Sequence, residues 1–185
     1  MKELFEAVRA GDLARIQTLV EADPTLAIFA AAILGDTERM EGLLTGNRSL
    51  SSAVSSDGWT PLHLAAFYGK ESNVRLLLNR GASVTARSAN PMANTPLHAA
   101  AAGKHAAIVK LLLDHGAQAN ARQHGGWVAL HSAAQNGDLE SARALIEAGA
   151  DVSARADNNQ KPLDLALTGG RQAMVEFLEM NGAKI

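Results

Sequence analysis

The chain has 185 residues, 47% of them hydrophobic but only 4% aromatic, so its length suits one domain or one short solenoid with an aliphatic, alanine-rich core. Seventeen Lys and Arg against nineteen Asp and Glu leave a net charge of −2, which gives no general attraction to nucleic acid or to an anionic membrane. The absence of cysteine excludes a disulfide framework and a thiolate metal site.

The opening residues Met1-Lys2-Glu3-Leu4-Phe5-Glu6 put acids where a signal peptide needs positive charge and then an apolar run. The longest apolar stretch, Leu26–Leu34, is far shorter than the roughly 20 residues that span a bilayer. A cytoplasmic protein without a membrane segment is the expectation. Gly11, Gly35 and Gly69, set in one register, mark two units ahead of the regular ones. The first predicts helices near Glu3–Ala10 and Leu13–Glu21, closed by Asp23-Pro24. Its polar residues, among them Glu3, Glu6, Arg9, Asp12, Arg15 and Gln17, suit a terminal cap whose outer face is wetted. The second predicts a helix buried on nearly all sides at Ala27–Leu34 and another near Thr37–Thr45. Gly42 lies inside that last helix, at a cost of about 1 kcal/mol against Ala, and suggests close approach of a neighbour. Asn47–Ser56 reads as a Ser-rich connection ending in the turn signal Asp57-Gly58.

From Thr60 the chain repeats itself. Thr60-Pro61-Leu62-His63-Leu64-Ala65-Ala66 returns as Thr95-Pro96-Leu97-His98-Ala99-Ala100-Ala101, then as Val128-Ala129-Leu130-His131-Ser132-Ala133-Ala134, and last as Lys161-Pro162-Leu163-Asp164-Leu165-Ala166-Leu167. The starts are 35, 33 and 33 residues apart, a period that signals stacked supersecondary units. Thr60 can cap its helix, and Pro61 at the first helical position loses no hydrogen bond. A second apolar helix follows in each unit, through Leu76–Leu78, Leu111–Leu113 and Ala144–Ile146, and then Gly81, Gly116 or Gly149 as a left-handed cap. Three departures stand out. Ala102-Gly103-Lys104 has its glycine one place early, the Arg87–Asn94 connection is two residues long for the period, and Val128-Ala129 lacks both Thr and Pro.

This pattern resembles the ankyrin repeat over nearly the whole chain. The resemblance implies an all-α ankyrin-repeat solenoid of stacked helix-turn-helix units with projecting hairpin loops. The units are expected at about 2–25, 26–59, 60–94, 95–127, 128–160 and 161–185, the first and last acting as caps. It also implies a non-catalytic protein-protein interaction module that presents a rigid concave surface to a protein partner.

Two other classes compete with this reading. The in-register His63, His98 and His131 raise a metal-binding protein or an enzyme, but three or four ligands would have to converge on one ion. The plainer reading is that each imidazole bonds the start of its own or the adjacent hairpin, which the resemblance also implies; Asp164 in the fourth unit does not extend a His array. The chain has no Gly-x-Ser-x-Gly, His-Glu-x-x-His, P-loop or Gly-x-Gly-x-x-Gly signature, so no catalytic residue, metal ligand or cofactor is assigned. A nucleic-acid binder acting through Arg87, Arg122 and Arg155 is disfavoured by the net charge.

By register, the concave face implied by the resemblance carries Trp59, Phe67, Tyr68, Met92, His124 and Trp127, together with the stripe Arg87, Arg122 and Arg155. Trp, Tyr and Arg most often carry interface energy. Against this, the tryptophans could cover a neighbouring hairpin and the arginines could bond loop carbonyls. The expected partner is a protein segment both apolar and acidic, bound by a monomer without nucleic acid or membrane.

Overall fold

The computed structural model describes residues 1–184. Twelve α-helices form among them, in consecutive pairs: α1 (Lys2–Ala10) with α2 (Leu13–Ala22), α3 (Ala27–Leu34) with α4 (Thr37–Gly46), α5 (Pro61–Phe67) with α6 (Glu71–Asn79), α7 (Pro96–Ala102) with α8 (Ala106–Asp114), α9 (Ala129–Asn136) with α10 (Leu139–Glu147), and α11 (Pro162–Thr168) with α12 (Gln172–Met180). No strand is assigned among the described residues. The fold is the all-α helical solenoid that the repeats imply. The first helices pack in one row from α1 to α11, the second in another from α4 to α12, and the main contacts join neighbouring pairs.

The core lies between the rows. Leu62, Leu97, Leu130 and Leu163 make one fully buried line, and Leu77, Leu112, Leu145 and Leu178 make the other. Ala65, Ala66, Ala100, Ala101, Ala133 and Ala134 are wholly inaccessible; their size lets one first helix lie against the next. α3 is buried from Ala27 to Ile33, matching its unbroken apolar sequence.

The helix ends follow from single side chains. Thr60 accepts from the His63 backbone N–H at 3.4 Å, with Pro61 at the first position of α5. Asp12, Asp36 and Asp138 cap α2, α4 and α10 by accepting from the N–H groups of Arg15, Arg39 and Ser141. Val128 has no side-chain acceptor, and α9 keeps only the reciprocal bond, the Val128 N–H donating to His131 Nδ1 at 3.1 Å.

Two local expectations change. A Cβ placed on Gly42 would meet no other element within 4 Å among the described residues, so that glycine marks open space and not a close neighbour. The Asn47 connection contains a 3-10 turn at Arg48–Ser52, matching one at Pro24–Leu26. In both, an Asx side chain holds the turn: Asp23 Oδ1 accepts from Thr25 N–H and Oγ1, and Asn47 Oδ1 from Ser49 N–H and Oγ.

The displaced glycine of the fourth pair has a visible consequence. Gly11, Gly35, Gly69, Gly137 and Gly170 take positive φ between paired helices, and at the same place Lys104 does so with φ 60°. Gly103 remains because a Cβ there would collide with the Phe67 carbonyl and the His105 ring. A left-handed residue with a side chain costs about 1 kcal/mol or slightly more. Lys104→Gly is expected to raise unfolding free energy by about 1 kcal/mol in a urea titration; an unchanged or lowered midpoint would show that the Lys104 side chain compensates the strain.

Candidate partner-binding face

From the second helix pair onward, the chain makes a hairpin between one pair and the next. Each is closed by a backbone bond: Ser55 N–H to Trp59 O, Ser88 to Asn94, Gln123 to Trp127 and Ala156 to Gln160, all at 2.8–2.9 Å. Adjacent hairpins are joined in turn, Ala89 N–H donating to Gly58 O, His124 to Met92 O and Asp157 to Gly125 O. Gly58, at φ 81°, allows this approach, since a Cβ there would meet the Asn90 nitrogen at 2.5 Å.

The Arg stripe runs beside that backbone seam. Arg87 Nη1 donates to Ala93 O at 2.9 Å and to Arg122 O at 2.8 Å. Arg122 Nη1 donates to Arg155 O at 3.0 Å, and its Nη2 pairs with Asp157 at 3.1 Å. Arg155 donates to Asn159 within its own hairpin. The first two arginines thus reach the backbone of the arginine one unit on, and their exposed guanidinium edges are what remains for a partner.

The histidines tie helix to hairpin. His63 Nε2–H donates to Asn94 O at 3.1 Å, His98 to Trp127 O at 3.2 Å and His131 to Gln160 O at 3.1 Å. Because a carbonyl only accepts, Nε2 carries the proton and Nδ1 is left as an acceptor. Thr60 Oγ1, Thr95 Oγ1 and the Val128 N–H supply its donors. Both ring nitrogens are therefore occupied, and none presents a lone pair to an ion. Burial lowers all three pKa values: His63 and His98 fall to about 4, and His131 shifts the same way, against the opposing pull of the carbonyl each one bonds. At neutral pH the row is uncharged.

Each tryptophan packs on the histidine four residues after it. Trp127 stacks on His131 at 5.4 Å and 29°, and Trp59 meets His63 at 5.9 Å and 58°. His124 is exposed in the 3-10 turn His124–Gly126, beside Trp127.

Four of the residues placed on this face by register, Trp59, Phe67, Tyr68 and Met92, converge on one hollow of about 320 Å³. Phe67 is 46% exposed and Met92 48%, and Tyr68 meets Phe67 edge-on at 5.3 Å. Arg87, Arg122, His124, Trp127 and Arg155 lie outside it, along the hairpin seam. Among the wall residues that sequence reasoning missed are Phe5 and Arg9, which come from α1 across the alanine-rich α3. The Tyr68 hydroxyl is raised above its ordinary pKa by burial, opposed by the nearby Arg9 charge, so the hollow holds a neutral phenol beside a cation.

Comparison with known proteins agrees with this geometry. The family described as "Ankyrin repeats (3 copies)" matches residues 4–88, 86–156 and 126–185. Tyrosine-protein kinase Shark of Drosophila melanogaster is 38% identical over 177 residues, taking in 96% of this chain and 15% of that protein. Tyrosine-protein kinase HTK16 of Hydra vulgaris is 34% identical over 128 residues, 69% of this chain and 17% of that one. Rabankyrin-5 of Homo sapiens is 33% identical over 164 residues, 70% of this chain and 14% of that one. The chain therefore spans only about a sixth of the length of these relatives, and what they share with it is the repeat region. With paired helices stacked in two rows, hairpins joined edge to edge, and repeat matches from residue 4 to residue 185, this chain belongs to the ankyrin-repeat family.

Proposed function

We propose that the chain is a non-catalytic protein-binding module, working as a cytoplasmic monomer and made of six repeats at 2–25, 26–59, 60–94, 95–127, 128–160 and 161–185. The observation that carries this reading is the apolar hollow where Trp59, Phe67, Tyr68 and Met92 gather, on a face held by backbone bonds between hairpins. A surface ordered in advance loses little conformational freedom when a partner docks. Other exposed large apolar residues, Leu13, Val54, Leu167 and Met180, fall on α2, the 47–59 connection, α11 and α12, as scattered surface positions do. No helix among the described residues is long and apolar enough to cross a membrane.

A partner captured from the native host and titrated by calorimetry tests the reading. Phe67→Ala and Tyr68→Ala are expected to weaken binding at least about tenfold, or 1.4 kcal/mol, with melting nearly unchanged. Lys110→Glu and Glu147→Lys, on exposed positions of α8 and α10, should leave it intact. The reverse pattern would move the partner to the second helices. Arg122→Glu is a poor probe, because it removes two hairpin bonds along with any contact to a partner.

A further inference from the structure

The hollow exists because one repeat is locally cut down. One side of its wall is Trp59, Leu64 and Phe67; the other, 35 residues later in each case, is Asn94, Ala99 and Ala102. Three large apolar side chains face three small ones across the gap. Asn94 stands where the units on either side carry Trp59 and Trp127, so the row of indoles over the histidines is interrupted there. Its side chain is not a neutral filler. Asn94 is only 5% exposed, and its Oδ1 is buried with no hydrogen-bond partner among the described residues. A buried amide left short of a partner destabilises the free protein, which an apolar residue would not.

Charge gives the second half of the picture. Among the described residues, Arg9 is the one charged member of the lining, and no carboxylate shares the wall with it. The acids of its own helix turn elsewhere: Glu3 and Glu6 reach Arg15 at 3.8 and 3.7 Å. Arg9 forms no ion pair among the described residues, and the Tyr68 hydroxyl sits in its field. A cation and a phenol donor stand at the rim of an apolar, amide-floored hollow.

We propose that this hollow takes one bulky apolar side chain of an extended peptide segment, with a carboxylate adjacent in that peptide docking on Arg9. This rests on the protein-binding reading above and specifies its ligand. At about 320 Å³ the space lies at the low end of the roughly 300–1,000 Å³ of ligand pockets, the scale of a single large residue and its flanking backbone. Phe5, Trp59, Phe67 and Met92 supply the contact area, and a guanidinium gives the carboxylate a charge-assisted, directional bond.

Selection of short random peptides displayed against the full chain, followed by calorimetry with the best synthetic peptide, tests this. The peptide should carry Phe, Trp, Leu or Met within two positions of Asp or Glu. Replacing either of these by Ala should weaken binding at least about tenfold. Ala102→Phe gives the fourth unit the residue that the third carries at the same place, and it should abolish binding. Arg9→Glu should weaken binding and restore it to a peptide whose acid is changed to Lys. Melting curves of both variants should overlay the parent, since Ala102 and Arg9 are exposed. No enriched peptide, or peptides indifferent to Ala102→Phe, would overturn the proposal. If such peptides instead lose binding on Trp127→Ala, the hairpin face remains the partner site and only the pocket is wrong. If they respond only to Lys110→Glu or Glu147→Lys, both readings fall.

Discussion

Lowering the pH from 7 to about 4 is expected to unfold this protein well before its carboxylates are exhausted, because of His63 and His98. Both bind a proton less readily when folded, at about 4, than the 6.5 of a free imidazole. The unfolded chain therefore takes up protons first, and the stability contributed by the neutral imidazoles is complete above pH 6.5 and lost progressively down to about 4. Each costs about 1.4 kcal/mol per pH unit across that window, or roughly 3 kcal/mol by its lower end. His131 adds to the loss in the same direction. Urea unfolding between pH 7 and 5 isolates the effect, since model carboxylates titrate near 4. The unfolding free energy should fall steeply there, and His98→Ala should both lower it at pH 7 by about 1–3 kcal/mol and flatten its pH slope. A midpoint that stays level from pH 7 to 5 would mean that the folded imidazoles take up protons as readily as free ones, against the donor pattern at their ring nitrogens.

Removal of the last helix pair is expected to do comparable damage. In a solenoid each unit is stabilised by its neighbours, so a stop after Asp157 strips α11 and α12 from α9 and α10. It bares Leu130, Ala133, Ala134 and Leu145, all now fully buried, and takes the Gln160 carbonyl from His131. A loss of several kcal/mol corresponds to a melting temperature lower by about 10 °C or more, with aggregation on heating. A 1–157 fragment that melts with the full chain would show that α11 and α12 are not needed as a cap.

The repeat itself could be read from residues because its signals are local: a Thr-Pro start, a histidine three places after the Thr, paired alanines and a terminal glycine each act within one turn of chain. The 3-10 turn at Arg48–Ser52 could have been read too, since Asn47-Arg48-Ser49-Leu50 repeats the Asx-x-Ser/Thr-Leu order of Asp23–Leu26. The destination of the arginines carries no sequence signal, because Arg87 and Arg122 bond backbone carbonyls that any residue supplies. Phe5 and Arg9 joined the hollow through the stacking of helices over α3, a relation between elements that spacing along the chain does not express. The other wall was in the sequence throughout. Laying residues 59–67 on residues 94–102 shows Trp59, Leu64 and Phe67 shrinking together to Asn94, Ala99 and Ala102.

The histidine ties have an evolutionary corollary. His63, His98 and His131 each grip the hairpin that leads into the next helix pair through a main-chain oxygen, that of Asn94, Trp127 or Gln160, an indole between two carboxamides of different length. The joint is therefore indifferent to the identity of its receiving residue. Such a coupling needs no matched pair of substitutions when a unit is duplicated, deleted or exchanged with another. The residue at the joint can then differ from one unit to another, as the residue before each helix pair does here, while the neighbours it connects stay in step.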